Sequence, residues 1–482
     1  MIYKGFEAVI GLEVHVELKT ATKAFCACST AFGAPPNTQV CPVCMGLAGA
    51  LPVLNARAVE LTMRAGLATH CRIADYTRFD RKNYYYPDLP KGYQISQQEF
   101  PLCTGGYLNI TVNGAEKRIG ITRIHLEEDA GKLLHEGDKT LVDSNRCGVP
   151  LAEIVSEPDL RSADEAREYL QTLRTVLRFA GVSDCRMQEG ALRCDVNLSV
   201  RPVGQTALGT RTEMKNLNSF RFVSRAIEHE FKRQVELVLA GERVVQETRR
   251  YDPDADRTYP MREKEGKADY RFFPEPDLLP LAISEGEVAA LAAAIPAMPH
   301  ARRARYKKEW EISEADAAIL SSDLALATYF EKAAEATPYP RIAASLLVTE
   351  GLRVAAAEDF ATPADALHLA ELATLLGEEQ INSSTAKKLT GELFAADFSP
   401  RAAVAARGLA QINDPAALAA VIGEALAENP RALADFKNGK RAARAALVGA
   451  AMAKTSGRAN PRLLSDLLDK ALEGEGSACD GA

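Results

Sequence analysis

The stretch Gly11–Leu18 reads GLEVHVEL and alternates strictly between apolar and polar side chains. Because successive side chains of a strand point to opposite faces, it predicts a strand that buries its valines and presents Glu13, His15 and Glu17 in a row. Carboxylate oxygens and an imidazole nitrogen are ligands of divalent cations, so the row indicates a metal site. The alternative is an exposed strand with a solvated polar face, and the octapeptide alone leaves both open.

Further acids lie in strand-like segments. Leu192–Val200 and Thr210–Lys215 also alternate, with Asp195 and Glu213 on their polar faces. Glu153 is the single acid in an apolar strand, where an unpaired carboxylate is costly unless it binds a metal. An edge strand that leaves Glu153 in water is the alternative. Repeated rows with arginine and lysine between the acids indicate a sheet that cradles a polyanion and its metal ions.

Three consecutive acids follow in the segment Ile121–Lys132. A period of two places Glu127 and Glu128 on opposite faces, so only one of them can face the site. The same period puts His125 on the side of Glu127.

Two close cysteine pairs predict a structural zinc site. Cys26 and Cys28 are separated by one residue, and Cys41 and Cys44 by two, with a short loop between the pairs. Four thiolates at such spacing can close a tetrahedron around zinc. A redox role for the second pair leaves the first pair unexplained. Five cysteines that stand alone are expected to be buried: Cys71, Cys103, Cys147, Cys185 and Cys194.

The segment Phe79–Gln94 contains prolines, a glycine, tyrosines and cations, and we expect a loop that binds phosphate and stacks on a base or ribose. A rigid loop packed by its tyrosines is the alternative. Met261–Pro276 offers a possible second wall through Arg262, Lys264, Tyr270, Arg271 and Phe272. Between these segments, Ser162 and Glu165 predict a capping box that opens a helix to about Ala180.

Composition and charge set the class of protein and its division. The 482 residues are 47% hydrophobic and 26% charged, which is typical of a globular protein with several domains. No apolar run approaches the roughly 20 residues of a membrane span, and the N-terminus lacks a signal-peptide core, so we expect a cytoplasmic protein. The chain becomes rich in Ala, Leu and Glu after residue 295, and we expect domains at 1–291, 292–399 and 400–482.

The last of these domains carries a basic patch. Residues 431–462 contain eight basic side chains and one acid, a local charge of +7 in a chain whose net charge is −7. Such a patch is typical of phosphate binding, although a solvated helical face is the alternative. The candidate nucleic-acid-binding residues are Lys437, Lys440, Arg441, Arg444, Lys454 and Arg458.

Neither a Gly-x-x-x-x-Gly-Lys-Ser/Thr loop nor a Gly-x-Gly-x-x-Gly turn occurs in the sequence. Several long motifs instead resemble, in order, the B subunits of glutamyl/aspartyl-tRNA amidotransferases: Val9–Leu18, Phe79–Gln97, Ile121–Lys132, Glu153–Asp159 and Tyr270–Pro280. The resemblance implies an α+β fold. An N-terminal cradle domain, with a mixed or antiparallel sheet like that of glutamine synthetase, would precede an all-α domain and a small helical tail.

The resemblance also implies an activity and its partners. ATP would activate the side-chain carboxylate of Glu-tRNA(Gln) or Asp-tRNA(Asn), and ammonia released by an amidase partner, the A subunit, would convert it to the amide, with a small C subunit joining the two. The resemblance implies that magnesium is bound by Glu13, His15, Glu128, Glu153, Asp195 and Glu213. At Glu128 this ligand set follows the family, whereas the alternation of the strand favours Glu127. Contacts to ATP or substrate are expected from Arg81, Lys82, Tyr84, Lys91, Tyr93, Arg193, Arg211 and Lys215. Zinc cysteines occur in only some members of the family, and all four are present here.

Two other functions are compatible with the predicted metal ligands, zinc cysteines and basic patch. One is a zinc-containing RNA-binding scaffold without catalysis, and the other is a metal-dependent hydrolase that activates water with the same acids. Magnesium-dependent ATP turnover that requires aminoacylated tRNA separates the amidotransferase from both. The preference between the glutamyl and the aspartyl ester is not specified by the sequence.

Overall fold

The computed structural model describes residues 1–263 and 269–476, and the chain divides into two compact units, Met1–Met298 and Pro299–Ala482. Sheet and helices both contribute to the first unit, whereas the described part of the second is helical. This arrangement confirms the α+β class predicted from the sequence.

The first unit combines strands with four helices. Its strands are β1 (Ile2–Tyr3), β2 (Phe6–Glu17), β3 (Arg72–Ile73), β4 (Tyr76–Thr77), β5 (Asp80–Asn83), β6 (Tyr93–Ser96), β7 (Cys103–Val112), β8 (Ala115–Glu128), β9 (Lys132–Glu136), β10 (Lys139–Asp143), β11 (Pro150–Ser156), β12 (Leu192–Pro202), β13 (Thr212–Lys215), β14 (Glu247–Asp252), β15 (Arg257–Glu263), β16 (Phe273–Pro274) and β17 (Leu281–Ala282). Its helices are α1 (Ala56–Ala68), α2 (Ala163–Phe179), α3 (Phe220–Leu239) and α4 (Glu285–Ala294).

A ten-stranded mixed sheet forms the centre of this unit, in the order β15-β14-β13-β12-β2-β11-β8-β7-β3, with β1 beside β2. Its neighbours are antiparallel except β13 and β14, which are parallel. Strand β2 thus lies between β12 and β11, with hydrogen-bonded neighbours on both sides. The predicted strand Gly11–Leu18 is therefore confirmed and is central to the sheet.

The two faces of the sheet differ as the alternation predicted. Leu12, Val14 and Val16 are at most 1% exposed and belong to one hydrophobic cluster with residues of α1, α2 and α3. The opposite face carries the polar rows. Burial of the apolar face is the main contribution that fixes the register, because a slip by one residue would turn the charged row into the core.

Helix α2 begins after Ser162, whose hydroxyl accepts a hydrogen bond from the Glu165 N–H. The Glu165 carboxylate accepts from the N–H of Arg161 instead of completing the capping box at Ser162. Gly181 follows the helix with a φ of 69°, a left-handed conformation that favours glycine. The helix itself is confirmed, and only the second half of its predicted cap is wrong.

The segment Phe79–Gln94 is not one loop. Strands β5 and β6 pair antiparallel within it, and β16 adds to β5 to make a small three-stranded sheet. Only the part between Tyr84 and Gly92 is irregular. The prolines and the glycine lie in that part, which explains why the composition of the whole segment pointed to a loop.

The second unit contains helices α5 (Pro299–Trp310), α6 (Glu314–Leu320), α7 (Leu324–Glu335), α8 (Pro340–Leu346), α9 (Leu352–Val354), α10 (Ala366–Gly377), α11 (Ser383–Ala395), α12 (Pro400–Ala406), α13 (Pro415–Glu428), α14 (Pro430–Lys437), α15 (Ala442–Lys454) and α16 (Pro461–Gly476). A π-helical turn, Leu347–Gly351, joins α8 to α9.

Two separate hydrophobic clusters occupy this unit. One runs from Tyr306 to Val404 and the other from Leu418 to Leu472. The predicted limit at residue 399 lies just before α12, which still packs into the earlier cluster, and the limit at residue 291 lies inside α4. The three-domain division stays a prediction. Among the described helices, none combines the length and the apolar content that a membrane span requires.

Candidate active site

The register of the three central strands brings two histidines and two glutamates together. Glu153 on β11 lies opposite His15 on β2 and opposite His125 on β8. The His15 Nε2 is 3.4 Å from a Glu153 oxygen and 3.6 Å from a Glu127 oxygen. One ligand atom from each of His15, Glu127 and Glu153 lies within 4.8 Å of the others, a spacing suited to one bound cation.

A second group of three acids lies beside the first. Asp195 on β12 is opposite Glu13 on β2, and Glu213 enters from β13. Their carboxylate oxygens also lie within 4.8 Å of one another. The Asn197 amide donates to Glu13 over 2.9 Å, and the Thr248 hydroxyl donates to Glu213 over 2.9 Å, so neighbouring side chains orient these acids.

In the first group, the histidines and the glutamates stabilise each other's charged forms. Burial alone would lower the pKa of His15, but its hydrogen bond and attraction to Glu153 and the charge of Glu127 raise it to about 9. Burial alone would raise the pKa of Glu153, and attraction to His125 and His15 lowers it well below the usual range. Among the described atoms, Glu127 Oε2 and His125 Nδ1 are buried without a hydrogen-bond partner. Negative carboxylates with an unsatisfied oxygen fit a cation such as magnesium.

Glu128 does not belong to either group. Its carboxylate forms an ion pair with Lys91 and accepts the Ile95 N–H over 2.9 Å. Because Glu127 and Glu128 are adjacent in β8, only Glu127 shares the face of His125. The structure thus places Glu127, and not Glu128, beside His15 and Glu153, as the period of two indicated, and the family's placement of a magnesium ligand at Glu128 stays a prediction.

A cavity of about 360 Å³ opens over both groups. Its cationic walls come from Lys82, Arg123, Arg211 and Lys215, and its aromatic wall from Tyr270 and Phe272. Burial alone would lower the pKa of Lys215, whereas the charges of Asp195 and Glu213 raise it. Arg123 and His125 were not among the predicted site residues, although both fall on the same alternation as Glu127.

The segment that supplies the aromatic wall is tied to strand β5. Arg81 binds the Glu275 carboxylate through two hydrogen bonds of 2.7 and 2.8 Å, and its guanidinium lies 4.2 Å from the centre of the Tyr93 ring. The Asn83 amide donates to the carbonyls of Tyr270 and Arg271. Arg81 therefore holds the wall rather than facing the cavity. The side chains of Arg262 and Lys264, expected in the same wall, lie outside the described ones.

Other cations expected to contact ATP or substrate are engaged within the protein. Lys91 pairs with Glu128, and Arg193 lies 2.6 Å from Asp129. The Lys82 ammonium lies 5.0 Å from the centre of the Tyr270 ring and 5.9 Å from the centre of the Tyr84 ring. Lys82 also lines the cavity. Lys82, Arg211 and Lys215 line the cavity over the acids, and the Lys215 ammonium is also paired with Asp195 and Glu213.

The four cysteines converge as the spacing predicted. The sulfurs of Cys26, Cys28, Cys41 and Cys44 lie within 4.8 Å of one another. A hydrogen bond from Cys26, together with the charge of Lys23, lowers the pKa of Cys44 against the opposing effect of burial. Thiolates are the form that binds zinc, so the donor set fits that metal. The isolated cysteines that were expected to be buried are buried: Cys71, Cys103, Cys147, Cys185 and Cys194.

Lys23 is a part of this site that sequence reasoning missed. Its side chain is fully buried, with Nζ 2.7 Å from the Gln39 carbonyl and 3.6 Å from the Cys44 sulfur. A lone lysine between Thr22 and Ala24 gives no signal of its own in the sequence.

Several cations of the basic tail pair within the tail. Arg444 forms two hydrogen bonds with Asp469, and Lys454 lies within 3.0 Å of Glu424 and Glu428. Lys440 pairs with Asp435, and Arg458 donates to the Gly408 carbonyl. Arg431, Arg441 and Arg462 are exposed and form no ion pair with a described residue.

Comparison with known proteins agrees with this architecture. The family model described as the GatB/GatE catalytic domain matches residues 8–289, and the GatB domain model matches residues 328–472. A protein of Caldicellulosiruptor saccharolyticus, named as the B subunit of an aspartyl/glutamyl-tRNA(Asn/Gln) amidotransferase, is 50% identical over 97% of this chain and 99% of its own. A protein of the same name from Geobacter sulfurreducens is 50% identical over 98% of this chain and 100% of its own. The chain belongs to the family of aspartyl/glutamyl-tRNA(Asn/Gln) amidotransferase B subunits.

Proposed function

We propose that the cavity over β2 uses ATP to phosphorylate the side-chain carboxylate of Glu-tRNA(Gln) or Asp-tRNA(Asn), and then converts it to the amide with ammonia. The name of the relatives specifies these tRNAs and an amido transfer. The observation that carries the proposal is the pair of adjacent three-ligand groups on one face of the sheet, under a cavity with cationic walls.

Phosphorylation is needed because a free carboxylate is a poor acceptor for ammonia, since oxide is a poor leaving group. The carboxylate oxygen attacks the γ-phosphorus of ATP and ADP leaves. Ammonia then attacks the carbonyl carbon and phosphate leaves, so the amide forms at the expense of one ATP. Both steps pass through highly charged groups that must be held close together.

Two magnesium sites are proposed, one at Glu13, Asp195 and Glu213, and the other at His15, Glu127 and Glu153. Bound magnesium would offset the repulsion between carboxylate and triphosphate and polarise the reacting phosphoryl oxygens.

The chain's own side chains then orient the substrates. Arg211 and Lys215 lie beside the second group of acids and are placed to bind the phosphate oxygens, where preorganised charge lowers the barrier most. Lys82, held between two tyrosine rings, is placed to neutralise charge over the first group. Tyr270 and Phe272 cover one side of the cavity and would limit the access of water, which competes with ammonia for the acyl phosphate.

The remaining proposals concern assembly and metal. We infer an assembly in the cytoplasm with two partners, an amidase (the A subunit) that releases ammonia and a small C subunit. The four cysteines are proposed to hold one zinc ion that fixes their loop. The basic tail is proposed to bind the tRNA backbone, with a candidate set of Lys437, Lys440, Arg441, Arg444, Lys454 and Arg458.

The test is amide formation on Glu-tRNA(Gln) and on Asp-tRNA(Asn), with ammonium in place of glutamine and with ATP and magnesium present. We expect ATP cleavage and amide formation on at least one of the two, and neither without magnesium. Supplying ammonium separates this site from the amidase partner. ATP cleavage that does not depend on aminoacylated tRNA would favour a hydrolase, and no turnover at all would favour a binding scaffold.

A further inference from the structure

The end of β2 beyond His15 faces a separate cavity. Its volume is about 580 Å³, and its charged lining residues are Glu17, Lys132, Asp143, Arg146, Glu189 and Arg193. Glu17 lies two residues beyond His15 on the same polar face of β2, and Arg193 lies opposite His15 on β12. The cavity therefore adjoins the group formed by His15, Glu127 and Glu153.

Most of the charges in this lining are balanced within the protein. Arg193 and Arg146 both lie beside the Asp129 carboxylate, at 2.6 and 3.3 Å. Glu189 pairs with Arg186 over 3.1 Å. These side chains can line the cavity without needing a ligand.

Two charges of opposite sign remain. Asp143 accepts hydrogen bonds from the N–H groups of Asn37 and Asn145. By contrast, neither the Glu17 carboxylate nor the Lys132 ammonium forms a hydrogen bond or an ion pair with a residue that the structure describes. Glu17 is half-buried, and a carboxylate withdrawn from water is costly unless a donor or a cation compensates it. The cavity thus offers one anion and one cation to a ligand.

Arg193 adds a hydrogen-bond donor beside Glu17. Its Nη2 is used by Asp129, but its Nε is buried and donates to no described group. A buried donor without an acceptor is unfavourable, so a ligand oxygen at this point would be stabilised. The arrangement suits a molecule in which a positively charged nitrogen lies next to a carbonyl oxygen.

The aminoacyl end of a tRNA combines these groups. Its α-ammonium group is attached to the carbon that also bears the ester carbonyl, and a phosphate follows one nucleoside away. Two residues of a strand rise by about 7 Å, from Glu17 to His15. The α-nitrogen of an extended glutamyl group lies about 5 Å from its side-chain carboxyl carbon, four bonds away. An ester whose α-ammonium contacts Glu17 can therefore place its side-chain carboxylate beside His15, where phosphorylation is proposed.

We propose, resting on the function above, that this cavity binds the aminoacyl end of the tRNA and that Glu17 recognises its α-ammonium group. The ester carbonyl accepts a hydrogen bond from Arg193, and Lys132 pairs with the terminal phosphate. Glu17 thereby fixes the end of the substrate opposite to the reacting carboxylate. A molecule that lacks the α-ammonium group is bound less well, even when its side chain is the same.

The test compares Glu-tRNA(Gln) and Asp-tRNA(Asn) with their N-acetylated forms, which keep the side-chain carboxylate but lose the α-ammonium group. The complex with its partner subunits is supplied with ammonium, ATP and magnesium, and kcat/KM for amide formation is measured. In the wild type, acetylation should lower kcat/KM about tenfold or more, the size of effect of a hydrogen bond to a charged group. Glu17→Gln should lower kcat/KM for the unmodified tRNA to a similar extent, and that for the acetylated tRNA less than about twofold.

Two further variants complete the test. Lys132→Ala should lower kcat/KM up to about fivefold, and equally for both forms, because acetylation leaves the phosphate unchanged. Glu7→Gln is the matched control, since Glu7 is another half-buried acid of β2, pairs with Arg201 and lies outside the cavity lining. It should leave the ratio between the unmodified and acetylated forms at the wild-type value. The magnesium requirement of Glu17→Gln should also stay that of the wild type, because Glu17 belongs to neither ligand group.

Equal kcat/KM for the unmodified and acetylated forms in the wild type overturns the role of Glu17 alone. An equal loss for both forms in Glu17→Gln also overturns it, since Glu17 would then act through its neighbour His15. A wild-type complex that makes no amide on any of these tRNAs overturns the proposed function, and the subsite with it.

Discussion

The Nε2 of His15 lies 3.6 Å from an oxygen of Glu127, although strand β11 separates the strands that carry them. The contact follows from register, because Glu153 on β11 faces both His15 and His125, and Glu127 is two residues beyond His125 on the same face. Between two neighbouring acids in β8, the geometry therefore selects Glu127 as the partner of His15.

The first prediction separates these two acids. Glu127→Gln should lower ATP cleavage and amide formation together by about 10²–10³-fold, the usual loss when one group that stabilises transition-state charge is removed. It should also raise the magnesium concentration needed for half-maximal ATP cleavage, with ammonium as the nitrogen donor. His15→Ala should behave in the same way.

Glu128→Gln is the control for this prediction. It breaks the ion pair with Lys91 but leaves both ligand groups intact, so the magnesium requirement for ATP cleavage should stay that of the wild type. A magnesium requirement that shifts in Glu128→Gln and not in Glu127→Gln would reverse the assignment.

The comparison of Glu127 with Glu128 also shows what the sequence can predict. Period-two alternation is a local property of a strand, so it correctly gave the faces of β2, β12 and β8. Which rows meet depends on register between distant strands, and no local pattern carries that information. The same limit hid His125 as a neighbour of Glu153 and the pairing of β5 with β16, which depends on Phe273 and Pro274 far along the chain.

Ion pairing is the second property that composition does not show. The sequence predicts Arg81 and Arg193 at the substrate, but in the structure Arg81 pairs with Glu275 and Arg193 with Asp129. Whether a cation binds a ligand or a carboxylate of its own chain depends on which side chains the fold places beside it. The same holds for Lys23, whose position beside Cys44 cannot be read from its neighbours in sequence.

The second prediction concerns Lys23. Four thiolates around a zinc ion carry a net charge of −2, and the Lys23 ammonium, 3.6 Å from the Cys44 sulfur, offsets part of it. Lys23→Met keeps the length of the side chain but removes the charge, so zinc affinity should fall by about 10–100-fold, as for other partners of metal ligands. Elemental analysis should give about one zinc per wild-type chain, because four thiolates close one tetrahedral site.

Competition with a chelator measures this loss. Lys19→Met is the control, because Lys19 is exposed and pairs with Asp184 away from the cysteines. Equal zinc retention by Lys23→Met and Lys19→Met would show that the buried ammonium does not stabilise the site.

The third prediction concerns the tail. Arg441 and Arg462 are exposed and have no ion-pair partner in the described part of the chain, so we expect them to bind phosphate more readily than the paired cations of the tail. Replacing both by Ala should weaken tRNA binding for every tRNA alike, and should reduce the salt dependence by about one power of salt concentration per lost contact. The readout is the tRNA dissociation constant over a range of salt concentrations.

Arg444→Ala serves as the comparison. Its guanidinium is bound to Asp469 and Ser465. The loss of Arg444 should therefore destabilise the packing of α15 on α16, and should leave the salt dependence of tRNA binding nearly unchanged. If Arg444→Ala flattens the salt dependence and the double variant does not, Arg444 is the phosphate ligand and the ion pair opens on binding.

The fourth prediction concerns Glu230, a fully buried carboxylate in α3 behind the sheet. It accepts hydrogen bonds from Arg233 over 2.6 and 2.9 Å, from Thr212 of β13 over 2.9 Å, and from Thr258 of β15 over 2.9 Å. The network thus ties the helix to β13, the strand that carries Glu213, and to β15 at the edge of the sheet. Glu230→Gln removes the nearer of the two carboxylates that pair with Arg233 and leaves only Glu247 at 3.9 Å, and breaking such a buried pair costs about 3–5 kcal/mol.

The sign of the pH dependence follows from the pKa of Glu230. Burial alone would raise this pKa, but the hydrogen bond and the charge of Arg233 lower it below the ordinary 4.5. A carboxyl group whose pKa is lower in the folded state stabilises the fold above its unfolded pKa, and that stabilisation is lost as pH falls through the folded pKa. The difference in unfolding free energy between wild type and Glu230→Gln should therefore be full at neutral pH and shrink below about pH 4.5. Urea unfolding of the full chain at several pH values measures this difference. Glu236→Gln is the control, because that exposed acid pairs with Lys4 at the surface and its replacement should change the unfolding free energy little. A loss of stability in Glu230→Gln that stays constant down to the acid range would show that packing, and not the charge of the carboxylate, holds α3 against β13 and β15.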